Sequence, residues 1–262
     1  MEHPGQYLAT MRDAAPLVHN ITNFVAMNVM ANVLIAAGAS PAMVHARAEV
    51  AEFAGIAAAL TVNIGTADPE WAQGMEEAAA VMTSAGRPWV LDPVGVGATR
   101  FRQELCARLI EARPTVVRGN ASEILALAGT AAKARGVDAG DSVAAAEDAA
   151  RALATRTGGV VAVTGAEDFV TDGTSGLRVG NGHALMTRVT ALGCSLTGVV
   201  GAFCAGQPPL EATAAALAYY GIAGERAAAQ AAGPGSFQVA FLDALHAVTP
   251  AEVNASARIV PV

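Results

Sequence analysis

The chain has 262 residues, enough to bury a sizeable core as one large α/β domain or two small ones. Hydrophobic residues make up 53% of it but aromatics only 5%, with alanine prominent, which suits helices packed tightly on a sheet better than a β-sandwich. The formal charge of −7, with no basic block to offset it, excludes nucleic acid as a natural partner, although a small anion needs only a local site.

In chain order, a short apolar run at Leu17–Asn20 leads to helical stretches near Phe24–Ala37 and Glu49–Ala58. A strand at Leu60–Ile64, a helix at Glu70–Ala85, a strand at Trp89–Leu91 and a helix at Arg102–Ala112 follow. The strand Thr115–Arg118, the helix Ser142–Thr157 and the strand Val160–Thr164 continue the alternation. Short strands alternating with longer helices indicate βαβ units and a mostly parallel sheet with helices on both faces. Beyond Thr164 the texture changes. Phe169–Thr171 and Leu177–Val179 flank the turn-rich segment 172–176 and read as a hairpin, and the chain is largely helical from Gly193 to Gly233. With no internal repeat and no linker-like tract, residues 1–262 read as a single domain.

Two long uncharged stretches, Ala14–Arg47 and Val189–Leu210, raise the possibility of membrane spans. The first carries Asn20, Asn23, Asn28 and Asn32, whose amides are costly in lipid, and the second is short and broken by glycines and prolines. Both read as buried helices of a soluble protein. Residues 1–15 contain Glu2, Arg12 and Asp13 and no apolar segment, so no secretory signal is expected. Cys106, Cys194 and Cys204 are odd in number and lack C-x-x-C spacing, which argues against a disulfide framework or a zinc site and points to a reducing cytoplasm.

Five strand candidates end in polar or glycine-bearing turns: His19–Asn23, Asn63–Thr66, Asp92–Gly97, Arg118–Glu123 and Thr164–Gly165. Ligands of open α/β sheets bind at the carboxyl ends of the strands, so these turns are expected to form one site. Each also fits the start of a helix, as Asn120 with Glu123 fits a capping box. Asp92 and Glu123 could support Mg²⁺ through waters, or Asp92 could cap a turn. In Thr190–Gly198, small residues enter a helix whose first N–H groups and dipole favour an anion. Cys194 falls in its first turn, where the thiol pKa is expected to be lowered. The alternative is a small residue packed at a buried helix start, and spacing alone favours it.

Nine ordered runs resemble the hydroxyethylthiazole kinase family: Pro16–Asn23, Gly38–Met43, Asn63–Thr66, Leu91–Thr99, Arg118–Ile124, Gly136–Asp138, Asn181–His183, Gly193-Cys194 and Gly233–Gln238. The resemblance spans about residues 8–250. It implies a ribokinase-like three-layer α/β/α fold with a mostly parallel central sheet. It also implies Mg²⁺-dependent transfer of the ATP γ-phosphoryl to the hydroxyl of 4-methyl-5-(2-hydroxyethyl)thiazole, in thiamin salvage, by a cytoplasmic homotrimer. By the same resemblance Met43, Asn23, Gly65 and Ala191 meet the thiazole, while Arg118, Thr164, Asn120 and Gly193 meet ATP. Asp92 and Glu123 support the metal, and Cys194 stands where most ribokinase-like enzymes keep an Asp. One departure is the turn Thr190-Ala191-Leu192-Gly193-Cys194, where the family usually has Thr-Gly-Ala-Gly-Cys; alanine adopts positive φ less freely than glycine. The turn is expected to survive because Gly193 and Cys194 remain. Competing readings are a kinase of another small alcohol such as a hydroxymethylpyrimidine, a repair-type dehydratase, a ligand-binding relative without turnover, and an acyl-transfer enzyme using Cys194.

Overall fold

The computed structural model describes residues 1–129 and 139–262, with backbone only over 139–144. The run Gly136–Asp138 lies outside the described residues. Among those described, nine strands form one sheet: β1 (Leu17–Ile21), β2 (Ser40–Met43), β3 (Ala59–Asn63), β4 (Trp89–Asp92), β5 (Val116–Asn120), β6 (Val160–Thr164), β7 (Asp168–Thr171), β8 (Gly176–Val179) and β9 (Ile259–Pro261). The spatial order is β2-β1-β3-β4-β5-β6-β7-β8-β9. Pairing is parallel from β2 to β6 and antiparallel from β6 to β9.

The helices are α1 (Gly5–Ala14), α2 (Met27–Ala37), α3 (Val50–Ile56), α4 (Pro69–Ser84), α5 (Arg100–Glu111), α6 (Ala121–Leu127), α7 (Ala139–Thr157), α8 (Leu192–Cys204), α9 (Pro209–Ala228), α10 (Pro234–Ala247) and α11 (Pro250–Ser256). Strand residues alternate between two cores, as the pleat requires. Val116, Val160 and Ala162 pack with α2, α8, α9 and α10, whereas Val117, Val161 and Val163 pack with α4, α5, α6 and α7. The central strands therefore bury both faces, which is why β1, β3, β4, β5 and β6 read as apolar runs, whereas the edge strands β2 and β9 are partly exposed.

Helix α8 explains the second uncharged stretch. It lies between the sheet and the helices α2 and α9, and eleven of its thirteen residues are buried. A methyl group at Gly201 would fall 2.9 Å from the Cγ2 of Thr61, so glycine sets how closely the helix approaches β3. No helix among the described residues is long and apolar enough to cross a membrane.

Several elements escape the sequence reading, among them helices α10 and α11 beyond Gly233. Ser40-Pro41, which reads as a break, belongs to β2; Pro41 pairs with Val18 on an edge strand, where the missing N–H can face outward. The amino-terminal α1 has no side-chain cap, and β9 is only three residues long. Helix α2 also starts three residues later than its apolar pattern suggests, because Asn23 turns the chain by accepting the Ala26 N–H at 3.0 Å.

Candidate active site

Because β1, β3, β4, β5 and β6 run parallel, their carboxyl ends share one rim. Asn63 is the register partner of Asp92, and Asn120 of Thr164. The five polar turns therefore gather, as the strand pattern requires.

At the centre lies Asp92, fully buried at the end of β4. Its Oδ2 accepts from the Asn63 side-chain amide and from the Thr197 hydroxyl, each at 2.8 Å. The Arg118 guanidinium stands 3.8 Å away. Its Oδ1 is buried with no hydrogen-bond partner among the described residues. Burial pushes the carboxyl up to about 6, with Arg118 and Thr197 opposing and Glu123 adding to the rise. Asp92 caps no turn.

Asn63 joins the neighbours. Its Oδ1 accepts from the Asn23 amide at 2.9 Å and from the Gly65 N–H at 3.0 Å. Asn23 also points its amide at the Cys194 sulfur, 3.3 Å away. The fit around Gly65 is tight: a methyl group there would sit 3.0 Å from both the Asn23 Cβ and the Asn63 Oδ1. Met43 ends the edge strand β2, separated from β3 by β1, and packs on the α2 and α8 side of the sheet.

Helix α8 enters this cluster end-on. Its N-cap, Ala191, takes the left-handed conformation at φ 64°, at a cost of about 1–2 kcal/mol for a residue with a Cβ. The turn thus keeps the shape a glycine would give it. The Ser195 N–H closes on the Ala191 carbonyl at 2.8 Å, leaving the N–H groups of residues 192–194 without intrahelical partners. Along one face of α8, Gly193 meets Arg118, Thr197 meets Asp92 and Gly201 meets Thr61, a spacing of four residues each time. A second face carries Ser195, hydrogen-bonded to Tyr220 of α9 at 2.8 Å.

The Cys194 thiol departs from expectation. Burial and the nearby Asp92 carboxylate raise its pKa, overcoming the lowering by Asn23, Asn63 and Arg118. A helix start is worth too little to offset an adjacent buried acid. Cys194 is a neutral thiol near pH 7.

Arg118 bridges to the other half of the site. It donates to the Thr164 hydroxyl at 2.7 Å and to the Gly193 carbonyl at 3.1 Å, while its buried Nε has no partner among the described residues. Beyond it opens a cavity of about 660 Å³, lined by Thr164, Gly165 and Asp168, by Asn181–Ala184 with Met186 and Thr187, and by Gly193 and Tyr220. Asp168 accepts the Gly165 N–H at 2.9 Å, and burial raises its carboxyl to about 6. Thr197, Asp168 and this wall are absent from the sequence-derived site, and Asn63 entered it only as part of the turn Asn63–Thr66. Thr197, three residues after Cys194, was the detectable one, since that spacing puts both near the same helix face.

Glu123 and Asn120 form the expected capping box: Asn120 accepts the Glu123 N–H at 3.0 Å, and Glu123 accepts the Asn120 N–H at 2.9 Å. The other Glu123 oxygen accepts the Gly95 N–H at 3.0 Å. Asn120 does not line the cavity. Among the described residues no three His, Cys, Asp or Glu side chains cluster as a direct metal cage. The unpartnered Asp92 oxygen, with Glu123 nearby, fits instead a cation that keeps most of its waters.

Known proteins resemble this chain in sequence and in fold. The "Hydroxyethylthiazole kinase family" matches residues 8–251. A hydroxyethylthiazole kinase of Cereibacter sphaeroides is 67% identical over 259 residues, 99% of each chain. The solved structure of the hydroxyethylthiazole kinase protein from Pyrococcus horikoshii OT3 superposes with a TM-score of 0.92 at 41% identity, covering 99% of this chain and 98% of that one. A ribokinase-like superfamily protein from Enterococcus faecalis V583 shares the fold, with a TM-score of 0.65 at 11% identity over 92% of this chain and 93% of that one. The fold is ribokinase-like, and the chain belongs to the hydroxyethylthiazole kinase family.

Proposed function

We propose that this protein, acting as a single kinase domain, transfers the γ-phosphoryl of ATP to the hydroxyethyl oxygen of 4-methyl-5-(2-hydroxyethyl)thiazole. The carrying observation is the Arg118–Gly193 joint, where an open cavity meets a closed polar cluster. The nucleotide base and ribose occupy the cavity. Its terminal phosphate reaches Arg118, Thr164 and the free N–H groups at the start of α8. The thiazole lies on the opposite side against Asn23, Gly65, Ala191 and Met43, with its hydroxyl at Cys194.

In the reaction the acceptor oxygen bonds to the γ-phosphorus while the β,γ-bridging P–O bond breaks, leaving ADP. Positioning and charge neutralisation dominate such a transfer, so a strong base is not required. This suits a cysteine whose thiol is largely neutral. The acceptor proton is lost late, once the forming ester has made it acidic, and Cys194 orients the hydroxyl. Asp92, through its free Oδ1, and Glu123 hold Mg²⁺ by way of waters; the ion supplies charge neutralisation at the phosphates. Asp92 also aims Arg118 across the joint.

Phe24 and Val25, 63% and 60% exposed beside Asn23, and the open edge strand carrying Met43 support a homotrimer with the thiazole site near subunit contacts. The cytoplasm and thiamin salvage are the setting this chemistry fits. A coupled ADP-release assay with Mg-ATP and a panel of small alcohols tests the reading. Preference for the hydroxyethylthiazole is expected. Preference for a hydroxymethylpyrimidine, or binding without turnover, would replace it.

A further inference from the structure

The sequence run Asn181-Gly182-His183 has no part in the chemistry above, yet it forms one wall of the cavity. How that wall is held is visible on α9. A methyl group at Gly221 would lie 2.6 Å from the Asn181 backbone, and one at Gly224 only 2.4 Å from the Met186 sulfur. The two glycines form a seat into which the wall presses. Glu225 lies on the same helix face, four residues after Gly221.

Glu225 fixes the wall to that seat. Its Oε1 accepts the Gly182 N–H at 2.8 Å. Gly182 has φ 143°, a backbone conformation that side-chain-bearing residues rarely adopt. The next residue, His183, accepts the Leu185 N–H at 3.2 Å and starts the 3-10 turn Ala184–Arg188 along the cavity. Arg258, just before β9, closes the arrangement. Its guanidinium pairs with Glu225 and donates to the Gly180 carbonyl, and its N–H donates to the Asn181 Oδ1 at 2.8 Å. The Asn181 amide in turn donates to the Ser256 carbonyl at 3.1 Å. Glu225 and Arg258 are partly exposed, with side chains 30% and 55% accessible, so the ion pair itself contributes little. The bond to a backbone N–H in a specialised turn is the specific contact.

We infer that Glu225 is a positioning residue for nucleotide binding, acting through Gly182 and the cavity wall without touching the nucleotide. This rests on the reading of the cavity as the ATP site. Isothermal titration with Mg-ADP, joined to steady-state kinetics, tests it on Glu225→Ala and Glu225→Gln. For Glu225→Ala we expect ADP affinity to fall, and the KM for ATP to rise, about tenfold, as loss of a charge-assisted hydrogen bond predicts. The KM for the thiazole and kcat at saturating ATP should stay within about twofold, since no transition-state contact is removed. Glu225→Gln keeps an acceptor for Gly182 and should weaken ADP only about threefold. Wild-type ADP affinity in Glu225→Ala overturns the inference, and so does a parallel worsening of both KM values and kcat, which marks general destabilisation. If Glu225→Ala does not fold, the glutamine variant decides: ADP affinity equal to wild type overturns the inference. Failure of the wild-type protein to bind ADP sinks the ATP-site reading itself, a result separate from these.

Discussion

The two halves of the proposed site, one for the acceptor and one for the nucleotide, are built on different principles. The acceptor half is a closed cluster of strand ends in which Asn23, Asn63 and Asp92 are buried and mutually hydrogen-bonded. The nucleotide half is an open cavity whose wall is an irregular segment seated on a helix. Reacting groups need fixed geometry, which short strands in a packed sheet supply. A nucleotide that must enter and leave needs access, which a loop wall supplies. Arg118 belongs to both halves, and substitutions should therefore divide by half: kcat on the acceptor side, ATP affinity on the nucleotide side.

The largest effect is expected at Asp92. Asp92→Asn should reduce kcat on the order of 10³-fold, because it removes the charge proposed to support the metal and to aim Arg118. The same variant should be more stable. A buried acid whose folded pKa is raised to about 6 from 3.8 imposes a penalty that is absent below the lower value and complete above the higher one. The Tm advantage of Asp92→Asn should therefore be larger at pH 7.5 than at pH 5, at about 2–4 °C for each kcal/mol relieved. An equal Tm at both values would mean that the burial is not costly. Wild-type kcat/KM should fall on the acid side of about pH 6, where Asp92 of the free protein takes up its proton.

Arg118→Ala comes next, with a loss of about 10²-fold in kcat/KM that draws on both kcat and the KM for ATP. A change confined to one parameter would show that the two halves do not meet there. Cys194→Ala should lower kcat about tenfold and leave the KM for ATP unchanged, because the transfer depends little on a base. An unchanged kcat would remove Cys194 from the reacting groups. The smallest effect is expected at the joint's turn. Ala191→Gly should stabilise the protein by about 1 kcal/mol, read as a rise in Tm, because it relieves a left-handed alanine. A fall in Tm would indicate that the methyl group packs usefully.

Legibility in the sequence followed the same division. The central parallel strands and the polar turns after them were readable, since both faces of these strands are buried and every turn carries its own residues. Asp92, Arg118 and Thr164 could be expected at one rim from the strand–turn pattern, whereas Cys194, at a helix start, was placed with them only by the family resemblance. The hub Asn63 was visible only as part of a turn, because an amide joining three partners looks like any other asparagine until those partners are in place. The direction of the Cys194 shift needed burial and the closeness of Asp92, neither of which is a local property. The cavity wall was least legible. Gly221 and Gly224 sit inside a helix where composition gives no reason for them, and the seat they form appears only when Asn181 and Met186 are set against it. Strand β2 escaped because proline forbids a central strand but permits an edge.

A crystal structure with an ATP analogue, Mg²⁺ and the thiazole tests the central claim most directly. The terminal phosphate should lie between Arg118 and the N–H groups of residues 192–194, with the thiazole hydroxyl facing it across Cys194. A terminal phosphate bound away from Arg118, or a thiazole on the same side of it as the nucleotide, would contradict the two-sided site.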